Sequence, residues 1–171
     1  MQQKLSSGLW YGLFTLILIW PALYNMFPLV TPDSGTYIHS GLALSIPGDR
    51  PWTYGIFLLL TSWGVSPWFP IFWQGFFCAW LLVQLGKKCI ISSLPHSFWA
   101  GILLIISCCT AAAWYTAQLM ADSFTGFMLL AILLLYLGPE DRASRIQLHL
   151  LWIICQVQEY SKLDPIPILR E

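Results

Sequence analysis

Four long stretches of this chain, residues 5–32, 51–86, 89–121 and 123–139, carry no Asp, Glu, Lys or Arg. A domain folded in water needs about a quarter of its residues charged to cover its surface. Here charged residues make up 9% of the chain and hydrophobic ones 57%. Uncharged apolar stretches of about 18 residues or more read as membrane-spanning helices. The expected fold is therefore an all-α membrane protein, with the lipid bilayer as its first partner. The formal net charge is zero, which leaves no basic footprint for a nucleic acid.

Four spans are expected, at about residues 9–29, 68–86, 97–115 and 120–138. An apolar run at 146–155 is half as long as a span, because Gln156, Gln158 and Glu159 stop it. Residues 1–155 thus read as one transmembrane helical domain and 156–171 as a polar tail. The first apolar run is too long for a cleaved leader, so it reads as a retained signal anchor. Ten Trp and seven Tyr gather near the ends of these runs, as interfacial aromatics do.

Two shorter helices are expected between the first two spans. Ser34–Leu44 has Ile38 and Leu42 on one side, His39 and Ser40 elsewhere, and ends at Pro47-Gly48. Pro51 to Trp63 begins on a proline suited to a first helical turn. At 1.5 Å per residue it covers about 20 Å, less than the roughly 30 Å of a hydrocarbon core. It should lie at the surface or enter only partway. The distribution of basic residues supports this. With an inside N-terminus and four spans, Lys4, Lys87, Lys88, Arg142 and Arg145 are all cytoplasmic, as the positive-inside rule requires. A fifth crossing would move Lys87 and Lys88 outside.

The same layout gathers Asp33, Asp49, Arg50 and Asp122 on the extracytoplasmic face. Each has a plain and a chemical reading. Asp33 stands where a helix N-cap belongs, accepting from the backbone N–H of Gly35 or Thr36. It is also placed to act as a general base, or as an acid beside a divalent cation. Asp49 and Arg50 can form a local ion pair, or Arg50 can hold a phosphate with its guanidinium fork. Asp122 can cap the fourth span at the positive end of its dipole, or line an outer cavity as a second acid. His39, His96 and His149 stand singly and read as interfacial. Cys78, Cys89, Cys108, Cys109 and Cys155 form no C-x-x-C pair and read as filler on apolar faces. No internal repeat, phosphate-binding glycine loop or metalloprotease motif is evident, and no cofactor is indicated apart from such a cation.

The order of segments carries a resemblance. A first span leads into Thr31-Pro32-Asp33-Ser34-Gly35-Thr36-Tyr37-Ile38. An amphipathic stretch follows, then Gly48-Asp49-Arg50-Pro51-Trp52-Thr53-Tyr54, a short apolar helix and a second span. This resembles the N-terminal part of the GT-C-class polytopic glycosyltransferases, which include protein O-mannosyltransferase-like and lipid A aminoarabinose transferase-like enzymes. The resemblance covers residues 9–138. It implies transfer from a polyprenyl-phosphate-linked sugar at the outer face. It makes Asp33 the catalytic loop acid and Arg50 a donor-phosphate contact, with Asp49 and Asp122 in the substrate site. Such enzymes have about ten or more spans and often a paired acid in the first loop, where Ser34 stands here. The chain is accordingly expected to be a partial or truncated transferase, inactive by itself.

Two other classes fit the composition. One is a small non-catalytic membrane subunit or scaffold that binds other membrane helices through its aromatic-rich faces. The other is a transporter-like half-protein, which would place ionisable groups in mid-membrane. The acids here sit at one edge instead.

Overall fold

The computed structural model describes residues 2–45, 51–62, 64–89, 94–138, 145–146, 148–149 and 153. Among them the chain is α-helical, with one isolated pair of extended residues and no strand. The helices are α1 (Gln2–Leu18), α2 (Trp20–Tyr24), α3 (Ser34–Ala43), α4 (Trp52–Ser62), α5 (Trp68–Cys89), α6 (His96–Cys109), α7 (Ala112–Thr116) and α8 (Ser123–Leu137). Residue 145 and the described residues of the expected half-span, 146, 148–149 and 153, are helical too. Asp49, Arg50 and the tail 156–171 lie outside the described residues.

α5 is the axis of the bundle. It packs against α1, α4, α6, α7 and α8. Its buried positions include Ile71, Gln74, Gly75, Cys78 and Ala79, the three- and four-residue spacing of a helix stripe. Phe14 and Leu18 of α1, Leu103 of α6 and Phe127 of α8 close the core around that stripe. α5 is the one described helix long and apolar enough to cross a membrane, with 22 residues and a mean hydropathy of 1.4. The apolar helices Ser7–Leu18, Trp52–Ser62, His96–Cys109 and Ser123–Leu137 are shorter.

Two of the expected long helices are each divided. The stretch 9–29 runs as α1, breaks at Ile19 and resumes as α2 with Pro21 in its first turn. The break follows from Pro21, which has no N–H to give and restricts the residue before it. The stretch 97–115 runs as α6, opens at Thr110 (φ −131°, ψ 168°) and resumes as α7. There the Thr110 hydroxyl donates back to the Ile106 carbonyl at 2.6 Å and competes with the helix ladder.

α3 and α4 form a close pair. A Cβ on Gly55 would lie 2.9 Å from both the Gly41 nitrogen and the Tyr37 carbonyl oxygen, and one on Gly41 would strike the Gly55 carbonyl oxygen. The two backbones therefore touch, which only glycine permits. α3 ends at Leu44 in the left-handed region (φ 49°). α4 is followed by Gly64 at φ 67°, a conformation glycine adopts at little cost.

Candidate functional site

The site is built on two loops that run side by side. Leu29 and Gln118 form a parallel bridge. The Leu29 N–H donates to the Ala117 carbonyl at 3.0 Å, and the Leu119 N–H donates to the Leu29 carbonyl at 2.9 Å. Four residues after Leu29 comes Asp33, and four after Gln118 comes Asp122. Each starts a helix: Asp33 is the N-cap residue of α3 and Asp122 that of α8. The bridge thus sets two helix starts next to each other in matching register.

The matching register exposes a short internal repeat that the sequence reading did not register. Asp33-Ser34-Gly35-Thr36 and Asp122-Ser123-Phe124-Thr125 share the pattern Asp-Ser-x-Thr. Each opens with a tight turn, shifted by one residue between the two copies. The Ser34 N–H donates to the Thr31 carbonyl and the Phe124 N–H to the Ala121 carbonyl, each at 3.0 Å. The Tyr37 N–H then donates to the Asp33 carbonyl four residues back, and the Thr125 N–H to the Asp122 carbonyl three residues back, each at 3.1 Å. Three shared residues, 89 positions apart, are too few to stand out without the fold.

Neither carboxylate caps its helix in the expected way. Asp33 has helical backbone angles (φ −76°, ψ −21°), as does Asp122 (φ −63°, ψ −21°), and neither makes a side-chain cap hydrogen bond. Capping side chains usually extend from β-region backbone, which swings the oxygen over the first free N–H groups. The preceding turns hold these aspartates in helical geometry instead. The adjacent serines make the ties. The Ser34 hydroxyl accepts from the Thr31 N–H at 2.8 Å and donates to the Leu119 carbonyl at 2.8 Å. The Ser123 hydroxyl donates to the Tyr115 carbonyl at 2.7 Å. Ser34 and Ser123 are buried, Asp33 is half-buried and Asp122 is exposed.

Beneath the second turn lies a buried polar network centred on Gln74, which is fully buried in the middle of α5. Its amide nitrogen donates to the Gln118 carbonyl at 3.1 Å, with longer approaches to the Thr116 carbonyl at 3.4 Å and the Ser123 hydroxyl at 3.5 Å. Its amide oxygen accepts from the Tyr54 hydroxyl at 2.9 Å. Burial pushes the Tyr54 phenol well above its ordinary pKa, Tyr37 adds to the rise, and a hydrogen bond at the Met120 backbone offsets part of it. Tyr37 and Tyr54 meet edge to face at 5.0 Å, and Phe57 and Phe124 at 4.9 Å. These contacts clamp the α3–α4 pair onto the first turn of α8.

Asp122 stands at the edge of a cavity of about 480 Å³ between α5, α7 and α8. Cys78, Leu82, Phe127 and Leu130 line its apolar part, and Tyr115, Ser123 and Thr125 share its polar part with Asp122. Asp33 does not line it. Among the described residues, no group of three or more His, Cys, Asp or Glu is gathered to hold a metal ion. His39 and His149 are exposed, and His96 stacks on Trp10 at 5.7 Å. Cys78 is buried, whereas Cys89, Cys108 and Cys109 are exposed. Cys155 lies outside the described residues.

Of the acids singled out in the sequence, the fold therefore relates Asp33 to Asp122 through the bridge. Gln74, Tyr54 and Ser34, which hold the two loops, were not singled out. The signal available for Gln74 was a lone amide amid aromatics in an uncharged stretch, which a membrane helix carries only for a reason. No family model, curated protein or solved structure matches this chain.

Proposed function

We propose that this chain is a multi-pass membrane protein whose extracytoplasmic end serves glycosyl transfer from a polyprenyl-phosphate-linked sugar. The membrane part of this reading is supported by an inside-out distribution of polarity. Ile105 is 64% exposed, Leu129 61% and Tyr136 87%, while Gln74 is 0% exposed. Water would reject such an exterior, whereas lipid accepts it and drives backbone and amide groups to pair inside. The aromatics fit a slab. Trp20, Tyr24 and Trp114 cluster at the α2–α7 end. At the opposite end His96 starts α6 and Lys87 and Lys88 close α5, and Trp10, midway along α1, stacks on His96. Belts of this kind mark the two interfaces. Lys87 and Lys88 identify the cytoplasmic side, so the paired Asp-Ser turns face outward.

The observation that carries the catalytic part is the bridge that couples the Asp33 turn to the Asp122 turn. The pairing sets the Asp122 turn beside the Asp33 turn, whose own loop carries Ser34 and no second acid next to Asp33. In the proposed reaction an acceptor hydroxyl attacks the anomeric carbon. Its proton passes to the Asp33 carboxylate, and the bond from that carbon to the phosphate oxygen breaks. The polyprenyl phosphate leaves with the bonding electrons. Arg50 offsets the charge that grows on the leaving oxygen, and Asp49 and Asp122 border the substrates. A divalent cation beside Asp33 would serve the same end.

The test is sugar transfer from a labelled polyprenyl-phosphate donor in membranes carrying this chain together with the further membrane helices that such a transferase uses. Asp33→Asn keeps the shape of the turn and removes the base. The rate should fall by about 100- to 10,000-fold, the usual contribution of a general base. Transfer at the parental rate would leave Asp33 a structural residue and favour the scaffold reading.

A further inference from the structure

The two divided helices break side by side. α1 packs against α6, and beyond the breaks α2 packs against α7. One hydrogen bond ties the breaks together. The Ser107 hydroxyl, on α6 three residues before Thr110, donates to the Ile17 carbonyl of α1 at 2.8 Å. Ile17 lies four residues before Pro21, so in an unbroken helix its carbonyl would receive the N–H of residue 21. Proline has no such N–H. The serine thus supplies, from the neighbouring helix, the donor that the proline withholds. Ser107 is buried. A helical serine often turns its hydroxyl back to its own helix, and this one reaches across instead. The break at Thr110 needs no such help. The Thr110 hydroxyl donates to the Ile106 carbonyl at 2.6 Å and accepts from the Ala112 N–H at 3.2 Å.

We infer that Ser107 is a positioning residue for the paired Asp-Ser turns: it stands in for the N–H that Pro21 lacks and so fixes the bend between α1 and α2. α5 closes on the same bend, where a Cβ on Gly75 would lie 2.7 Å from the Ile19 Cγ2. Beyond the bend, Trp20 meets Trp114 edge to face at 6.1 Å, and Leu29 reaches the backbone of Ala117 and Leu119. The direction in which α2 leaves α1 therefore decides whether Leu29 arrives at its partners, and with it whether the Asp33 turn stands beside the Asp122 turn. Within a bilayer no water can take the place of the serine at the Ile17 carbonyl. The bearing of this placement on catalysis rests on the transfer reading above, while the replacement of one donor by another does not.

Residue-resolved amide hydrogen exchange of the whole protein in lipid nanodiscs tests it. The readouts are the N–H groups of Leu29 and Leu119, which make the bridge. Residues 56–60 of α4, which packs on α3 and α5, are the reference. Ser107→Ala should speed exchange at Leu29 and Leu119 by about tenfold, the order expected of one stranded carbonyl, and leave the reference as in the parent. Pro21→Ala gives residue 21 an N–H for the Ile17 carbonyl. Adding Ser107→Ala to that variant should change exchange at Leu29 and Leu119 by less than about twofold, because the two substitutions act on one acceptor. Unchanged exchange in Ser107→Ala, a rise shared equally by residues 56–60, or the same effect of Ser107→Ala with Pro21 as with Ala at that position would each overturn the proposal. No sugar transfer enters the measurement. Parental transfer in Asp33→Asn therefore overturns the chemistry and leaves the exchange result standing, whereas additive exchange effects overturn the role of Ser107 and leave the chemistry standing.

Discussion

At the scale of single residues, Gln74 and Tyr54 do most to hold the candidate site in place. Gln74 is the buried amide that satisfies the loop carbonyl of Gln118 and the Tyr54 hydroxyl together. Replacing it with Leu keeps volume and strands both partners. Each buried group left unpaired costs about 1–3 kcal/mol. Gln74→Leu should therefore lower unfolding stability by at least that much in a denaturant titration, and an unchanged midpoint would show the network to be idle. Tyr54 adds a pH dependence. Its folded-state pKa is raised by burial from an ordinary value of 10.0, so folding favours the protonated phenol. That contribution is fully present below about pH 10 and is lost as pH rises toward the folded value, because the unfolded chain then ionises first. Stability should decline in that alkaline window, and Tyr54→Phe should decline less steeply than the parent. Equal slopes would contradict the assignment.

At the scale of elements, the α3–α4 pair depends on glycine. Gly55→Ala would push a methyl group into the backbone of α3. The pair must part, the Tyr37–Tyr54 contact opens, and overpacking of this kind costs about 1–3 kcal/mol. Gly101→Ala in α6, where a Cβ meets nothing within 4 Å, should instead be neutral or stabilising by up to about 1 kcal/mol. Thermal unfolding in detergent separates the two, and similar midpoints would refute the close packing. Much of this element map was legible in the sequence. α3, α4, α5 and α8 fall within three residues of the expected segments bounded by Asp33, Pro51, Lys88 and Asp122, because caps, prolines and charges mark their ends. The divisions at Ile19 and Thr110 were not legible. A proline or threonine inside an apolar run is compatible with either a kink or a continuous membrane helix. The Leu29–Gln118 bridge was hidden for a different reason. One pair of extended residues leaves no alternating pattern, and their partners are distant in the chain.

At the scale of the whole molecule, the account holds that the joined Asp-Ser turns face the extracytoplasmic side of a multi-pass bundle. The acids Asp33 and Asp122 were found in the sequence by their place beside uncharged stretches, and the fold adds their shared register. The proposed orientation rests on Lys87 and Lys88 at the end of α5. Exposed positions at the two ends offer direct probes: Ser45 just beyond α3, and the native Cys89 at the last turn of α5. In a background with the other cysteines changed to Ser, a membrane-impermeant maleimide on intact cells should label Ser45→Cys and should reach Cys89 only after permeabilisation. Labelling of Cys89 in intact cells, or protection of position 45 until the cells are opened, would contradict the account.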